Sequence, residues 1–191
     1  MKKTIINLLA GLCLIMALPS SAMEIAKQTI PDQATLDGVE QSLVLNGAGI
    51  RYKFVFKIYI GALYLPEKSQ DAEAIIASEG PKRILMHFLY DKVQKKDMDK
   101  AWKEGFADNL DKAMLVQLGQ RMDDFSDLFT DTVEGDTIWL DNIPGSGTRV
   151  TINGAEKGLI PGDDFYPALI QIWIGKDPIT TDLKKQMLGL E

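Results

Sequence analysis

Histidine and cysteine, the side chains most used for metal ligation and nucleophilic chemistry, occur once each in this 191-residue chain, as His87 and Cys13. Two-histidine metal motifs such as HExxH are thereby excluded, and any Ser-His-Asp triad would have to use His87. That residue lies in the strand-like run 83–90, and the chain has no Gly-x-Ser-x-Gly turn to present a serine. His87 therefore reads as a packed or edge histidine. Gly145-Ser146-Gly147-Thr148 resembles a phosphate cradle in composition. It falls between two strands rather than between a strand and a helix N-terminus, so it reads as a hairpin loop. No metal, no cofactor and no catalytic residue is expected from these positions.

The elements that would position a site follow from periodicity. Leu43-Val44-Leu45 leads into Asn46-Gly47-Ala48-Gly49, whose glycines suit a turn or bulge, and then into a β-rich run over 51–65. In one unbroken strand Tyr52, Phe54, Phe56, Ile58, Ile60, Ala62 and Tyr64 share a face, which is expected to pack on the core. Arg51, Lys53, Lys57 and Tyr59 take the other. A short helix is expected over 71–77, then the strand around His87. Met98, Trp102, Phe106, Leu110, Met114 and Leu118 recur every four residues, and a second helical stretch runs through Met122, Phe125, Leu128 and Phe129, with Gly119 marking the break. These aromatics read mainly as core, with ligand contact by a few as the lesser reading. Strands return at 137–140 and 149–152, with Asn153-Gly154 as a hairpin turn. Asp163 and Asp164 open a helix stopped by Gly175, and Thr181 caps a last one ending near Leu188. Strands, a helical middle, a hairpin and closing helices give an α+β protein with a largely antiparallel sheet.

Lys2 and Lys3, the apolar run 5–18 and Pro19-Ser20-Ser21-Ala22 form the three regions of a secretory signal. Cleavage after Ala22 is expected, leaving one domain over 23–191 in the periplasm, with no thiol and no membrane-spanning segment. Cleavage removes two of 21 basic residues and no acid, so 19 minus 27 gives the mature chain a charge of −8. That field repels phosphates and anionic headgroups, which argues against nucleic-acid binding and against electrostatic docking to a membrane.

The segments 46–51, 56–65, 141–148, 162–165 and 172–175 resemble those of the bacterial chalcone isomerase-like proteins, in order along most of the mature chain. The resemblance implies an open-faced β-sandwich, a large antiparallel sheet covered on one side by helices. Plant members of this superfamily are either true isomerases that close a flavonoid ring or fatty-acid binders that hold a carboxylate in the corresponding cleft. Both use an arginine in a Gly-x-Gly-x-Arg context, which Arg51 matches. The binders are similar in placing a tyrosine in the next strand, the counterpart of Tyr59, where isomerases carry a threonine. No tyrosine and asparagine of the helical region match those of the isomerases. The resemblance thus implies ligand binding by Arg51 and Tyr59. An unbroken strand would hold them about 26 Å apart at roughly 3.3 Å per residue, so a shared site requires the chain to bend.

The expectation is an exported, non-catalytic binder of a small amphipathic molecule such as a fatty acid. Two alternatives stand beside it: a chalcone-type isomerase in which Arg51 stabilises a phenolate, and a periplasmic structural or partner-binding module that uses the open face of the sheet.

Overall fold

The computed structural model describes residues 22–190. The expected signal sequence lies, apart from Ala22, outside them. In chain order the elements are β1 (Ala22–Ile25), β2 (Gln28–Pro31), β3 (Gln33–Ala34), β4 (Leu43–Lys53), β5 (Phe56–Leu65), α1 (Ala72–Ala77), β6 (Lys82–Phe88) and β7 (Lys92–Val93). They continue with α2 (Lys95–Asn109), α3 (Lys112–Asp127), β8 (Thr132–Val133), β9 (Thr137–Ile143), β10 (Gly147–Ile152), β11 (Ala155–Pro161), α4 (Phe165–Ile174) and α5 (Thr181–Met187). Seven strands form one sheet in the order β11-β10-β9-β6-β5-β4-β3, and every pairing in it is antiparallel.

Period-two alternation divides the sheet's side chains between two apolar layers. On one face Tyr59, Leu63, Ile84, Met86, Phe88, Ile138, Leu140 and Val150 pack under the helices. The centre of that layer is α4, apolar on nearly all sides, whose Trp173, Ile170 and Ile174 are fully enclosed. On the opposite face Ile60, Ala62, Tyr64 and Leu85 meet Ile30, Leu36, Leu43 and Leu45, so the segment before β4 covers part of the side without helices. The expected architecture is the one observed.

The expectation of one unbroken strand over 51–65 is corrected. The chain reverses at Phe54-Val55 between β4 and β5, with Phe54 in the left-handed region at φ +57°. From Tyr59 onward the odd-numbered residues of β5, not the even ones, face the helical core, and Ile58 before them is buried in that same layer. Tyr52, Phe54 and Phe56 are exposed at the hairpin tip rather than buried. No Gly, Asn, Asp or Pro announces this turn, which is why the sequence pattern runs through it.

Gly47 and Gly49 make no turn either; β4 continues through them with a register shift between Leu45 and Gly47 that leaves Asn46 as the bulged residue. The bulge reverses the alternation. Leu43 and Leu45 face the smaller layer, whereas Gly47 and Gly49 face α5. A Cβ on Gly47 would lie 2.1 Å from the Gln186 carbonyl oxygen, so only glycine admits α5 this close. The Asn46 amide donates to the carbonyls of Ser69 and Met187, and its oxygen accepts from the Ser69 N–H, which fixes the bulge.

The helical break falls at Leu110-Asp111 rather than at Gly119. Asp111 caps α3 by accepting from the Met114 N–H, and α3 runs through Gly119. The cap of α5 is Thr180, with Thr181 its first residue. Asn153-Gly154 does form the β10–β11 turn, both residues at positive φ as a two-residue type I′ hairpin requires. His87 is in a central strand, paired with Ile60 and Thr137, and is not an edge residue.

These glycines should respond oppositely to alanine. Gly47→Ala forces α5 off β4 and should lower unfolding free energy by about 1–3 kcal/mol. Gly119→Ala, in helical backbone with nothing within 4 Å of the added carbon, should raise it by about 0.5–1 kcal/mol. Urea denaturation of both variants measures this, and equal effects would contradict the packing described.

Candidate functional site

The β4–β5 hairpin sets Arg51 directly opposite Tyr59. The guanidinium carbon lies 5.6 Å from the centre of the Tyr59 ring, within the range of an attractive cation–π contact. The fold therefore brings together the two residues singled out from sequence, through a reversal between them rather than a bend before Arg51.

Tyr59 is 2% exposed and stacked near Phe88, with ring centres 5.6 Å apart. Its hydroxyl oxygen accepts a 3.0 Å hydrogen bond from Nε1 of Trp173 in α4. Burial pushes the phenol above the ordinary tyrosine range; the Arg51 charge and the Trp173 bond act the other way and are outweighed. Tyr59 therefore stays protonated at neutral pH. With its oxygen taken by the indole N–H, its own O–H is left to donate.

Two further donors lie beside it. Nε of Arg51 and Nε1 of Trp102 are both buried without a hydrogen-bond partner. Arg51, Tyr59 and Trp102 line one small recess of about 40 Å³, together with Ile58, Met86 and Phe88. The recess adjoins a vestibule of about 380 Å³ that shares Arg51, Ile58, Val93, Asp97 and Ala101 with it and adds Lys53, Tyr90, Lys92 and Lys100. By its sequence spacing Trp102 is one core aromatic among several. It does pack on Phe125, Phe129 and Trp173, but its unpaired N–H sets it apart, and four-residue periodicity carries no sign of that. The helix bearing it is held by Asp99, which accepts from Lys95 Nζ and from Ser126 Oγ of α3.

Three N–H or O–H donors around an apolar recess suit a compact anionic group such as a carboxylate. The opposing charges are the Asp97 carboxyl at the rim and the Glu104 carboxyl in the vestibule. Among the described residues no group of His, Cys, Asp and Glu could hold a metal ion.

A larger cavity of about 550 Å³ lies on the sheet's other face, lined by Tyr64, Arg83, His87, Trp139, Asp141 and Arg149 among others. Its cations are already engaged. Asp141, 1% exposed, accepts from Arg83 at 2.6 and 2.8 Å and from Arg149 at 3.5 Å. Arg149 also donates to the Asp37 carbonyl, and Arg83 stacks 4.3 Å from the Trp139 ring centre. His87 turns toward this cavity with Nε2 unpartnered, and burial lowers its pKa, so the ring is neutral at pH 7. We assign this cluster a structural role. Asp141→Ala leaves two guanidinium groups uncompensated and should destabilise the fold by about 3–5 kcal/mol, measured by thermal or urea unfolding. A loss below 1 kcal/mol would contradict the assignment.

The family model for chalcone isomerase-like proteins matches residues 22–189. Among solved structures, a fatty-acid binding protein of Arabidopsis thaliana superposes with a TM-score of 0.72 at 15% identity, covering 88% of this chain and 96% of that one. At that identity the likeness is one of fold. No curated protein matches the chain by sequence.

Proposed function

Because this chain belongs to the chalcone isomerase-like family, we propose that it is an exported, non-catalytic carrier of a fatty-acid-like amphipath, held head-first with its carboxylate in the recess of Arg51, Tyr59 and Trp102. The observation that carries this reading is the pair of buried, unpartnered donors, Arg51 Nε and Trp102 Nε1, in one recess with the Tyr59 hydroxyl. A buried donor without an acceptor is costly, and a carboxylate would satisfy all three at once. The vestibule volume of about 380 Å³ falls in the usual range for small-molecule sites, roughly 300–1,000 Å³. Ile58, Tyr90, Val93 and the alkyl stems of the lysines would line the tail. Fatty-acid binding by the Arabidopsis protein of the same fold supports this chemistry. Export rests on the lysines and apolar run of residues 2–18, followed by small residues up to Ala22.

Calorimetry with decanoate tests the site. A charge-assisted hydrogen bond contributes roughly 1.5–3 kcal/mol, so Arg51→Ala should weaken binding about 10- to 150-fold. Tyr59→Phe or Trp102→Phe removes one neutral donor and should weaken it about 2- to 13-fold. Arg51→Lys keeps charge but loses the planar fork and should fall between. Equal affinities for wild type and Arg51→Ala, or no binding by folded wild type, would overturn the reading.

The pH profile follows from the same groups. The anion is the bound form, so affinity should fall as pH drops through the carboxylic range of about 4–5. Since the Tyr59 phenol titrates above its ordinary value, its donor persists and affinity should hold from pH 7 to about 9.5. A loss of affinity centred near pH 8 would contradict its role.

A further inference from the structure

The β4–β5 hairpin ends in an apolar tip at the mouth of the vestibule, and we propose that this tip docks the protein on a lipid bilayer carrying anionic phospholipid, so that the amphipath passes between bilayer and cleft. Phe54 is 89% and Val55 82% exposed, and Tyr52 and Phe56 are also exposed. These are four large apolar side chains within five consecutive residues, a concentration found nowhere else among the described residues. Phe54 adopts φ +57°, a conformation disfavoured for a bulky residue, and the reversal holds its ring outward with no packing in return. Phe56 packs edge-on against Tyr90, 5.6 Å between ring centres, which backs the tip on the body of the protein.

Charge identifies the occupant. Residues 51–57 carry Arg51, Lys53 and Lys57 and no acid, a local +3 on a chain whose net charge is −6. Lys92 and Lys100 stand at the same mouth, each paired with one acid, Asp131 and Glu104 respectively. Aromatic and aliphatic side chains flanked by lysines suit the boundary between headgroups and acyl chains, where apolar groups enter and ammonium groups stay with the phosphates. The acidic remainder of the chain is repelled by the same surface, so the field that disfavours docking elsewhere orients the molecule with its tip toward the bilayer. Arg51 joins the two sites: it lies at the base of the hairpin and lines the recess.

The direction of transfer rests on the carrier reading above; the docking itself does not. Vesicles of phosphatidylcholine with and without 30% phosphatidylglycerol, sedimented with the protein at low and high salt, provide the test. Wild type should bind the anionic vesicles and release them in high salt. Phe54→Ser with Val55→Ser should weaken binding at least tenfold. Lys53→Gln with Lys57→Gln should weaken it roughly 30-fold, at about fivefold per lysine. Tryptophan emission of Phe54→Trp should shift blue on anionic vesicles and be quenched by brominated acyl chains. No vesicle binding by wild type, equal binding by the tip variants, or a wild-type dimer that Phe54→Ser with Val55→Ser dissociates would each overturn the proposal, the last by making the occupant a second copy of the chain. Neither Phe54 nor Val55 lines the cleft, so the Ser-Ser variant should bind soluble decanoate as wild type does. Vesicle binding without decanoate binding would remove the carrier reading and leave the docking surface. The converse would remove the docking surface alone.

Discussion

A single bulged residue decides which face of the sheet carries the arginine. With Asn46 left out of the β4–β5 register, side chains that begin the strand on the smaller layer finish it under the helices. Arg51 thereby falls opposite Tyr59 and beneath α2 rather than toward the exposed face. The bulge is held by the Asn46 amide, bonded to the Ser69 backbone and the Met187 carbonyl, and by the glycines that let α5 lie against the strand. The Gly-x-Gly-x-Arg pattern is therefore a packing device. Its glycines admit a helix, and that close approach helps fix the register presenting the arginine.

The recess depends on what surrounds that register. Trp173, buried in α4, spends its N–H on the Tyr59 oxygen and so directs the phenolic proton elsewhere. Trp102 comes from α2 on the other side of the same space and spends its N–H on nothing. The aromatic cluster around the two indoles, with Trp102 to Trp173 at 5.9 Å and Trp102 to Phe125 at 5.3 Å, holds both rings in place. An apolar wall with fixed donors can select for charge without rearranging when ligand arrives.

Much of this was legible in the sequence. The fold class, the Asn153-Gly154 hairpin and the stop at Gly175 rest on local patterns that tertiary packing did not override, and Arg51 and Tyr59, singled out by resemblance, do stand opposite each other. The reversal at Phe54-Val55 was not legible, because Lys53-Phe54-Val55-Phe56-Lys57 has strand composition and no turn residue. That one omission set the wrong face of β5 on the core and stretched Arg51 and Tyr59 far apart. Gly119 misled for the opposite reason: helix α3 accommodates a glycine, whereas Asp111, able to cap a new helix, marks the true break. Trp102 could not be singled out, because the missing partner of a buried N–H is a property of the packed structure and not of spacing. Charge behaves likewise: a net of −6 describes the whole chain and conceals a basic hairpin tip.

The central claim is that a carboxylate occupies the recess under α2 and not the larger cavity across the sheet. Titrating nitrogen-15-labelled protein with decanoate while following the tryptophan indole and arginine Nε–H resonances addresses it directly. The account predicts that the Trp102 indole and Arg51 Nε–H signals move downfield and saturate together, as both gain an acceptor, while those of Trp139 and Arg149 stay in place. Movement of Trp139 and Arg149 with Trp102 and Arg51 unchanged would put the ligand on the opposite face and contradict it.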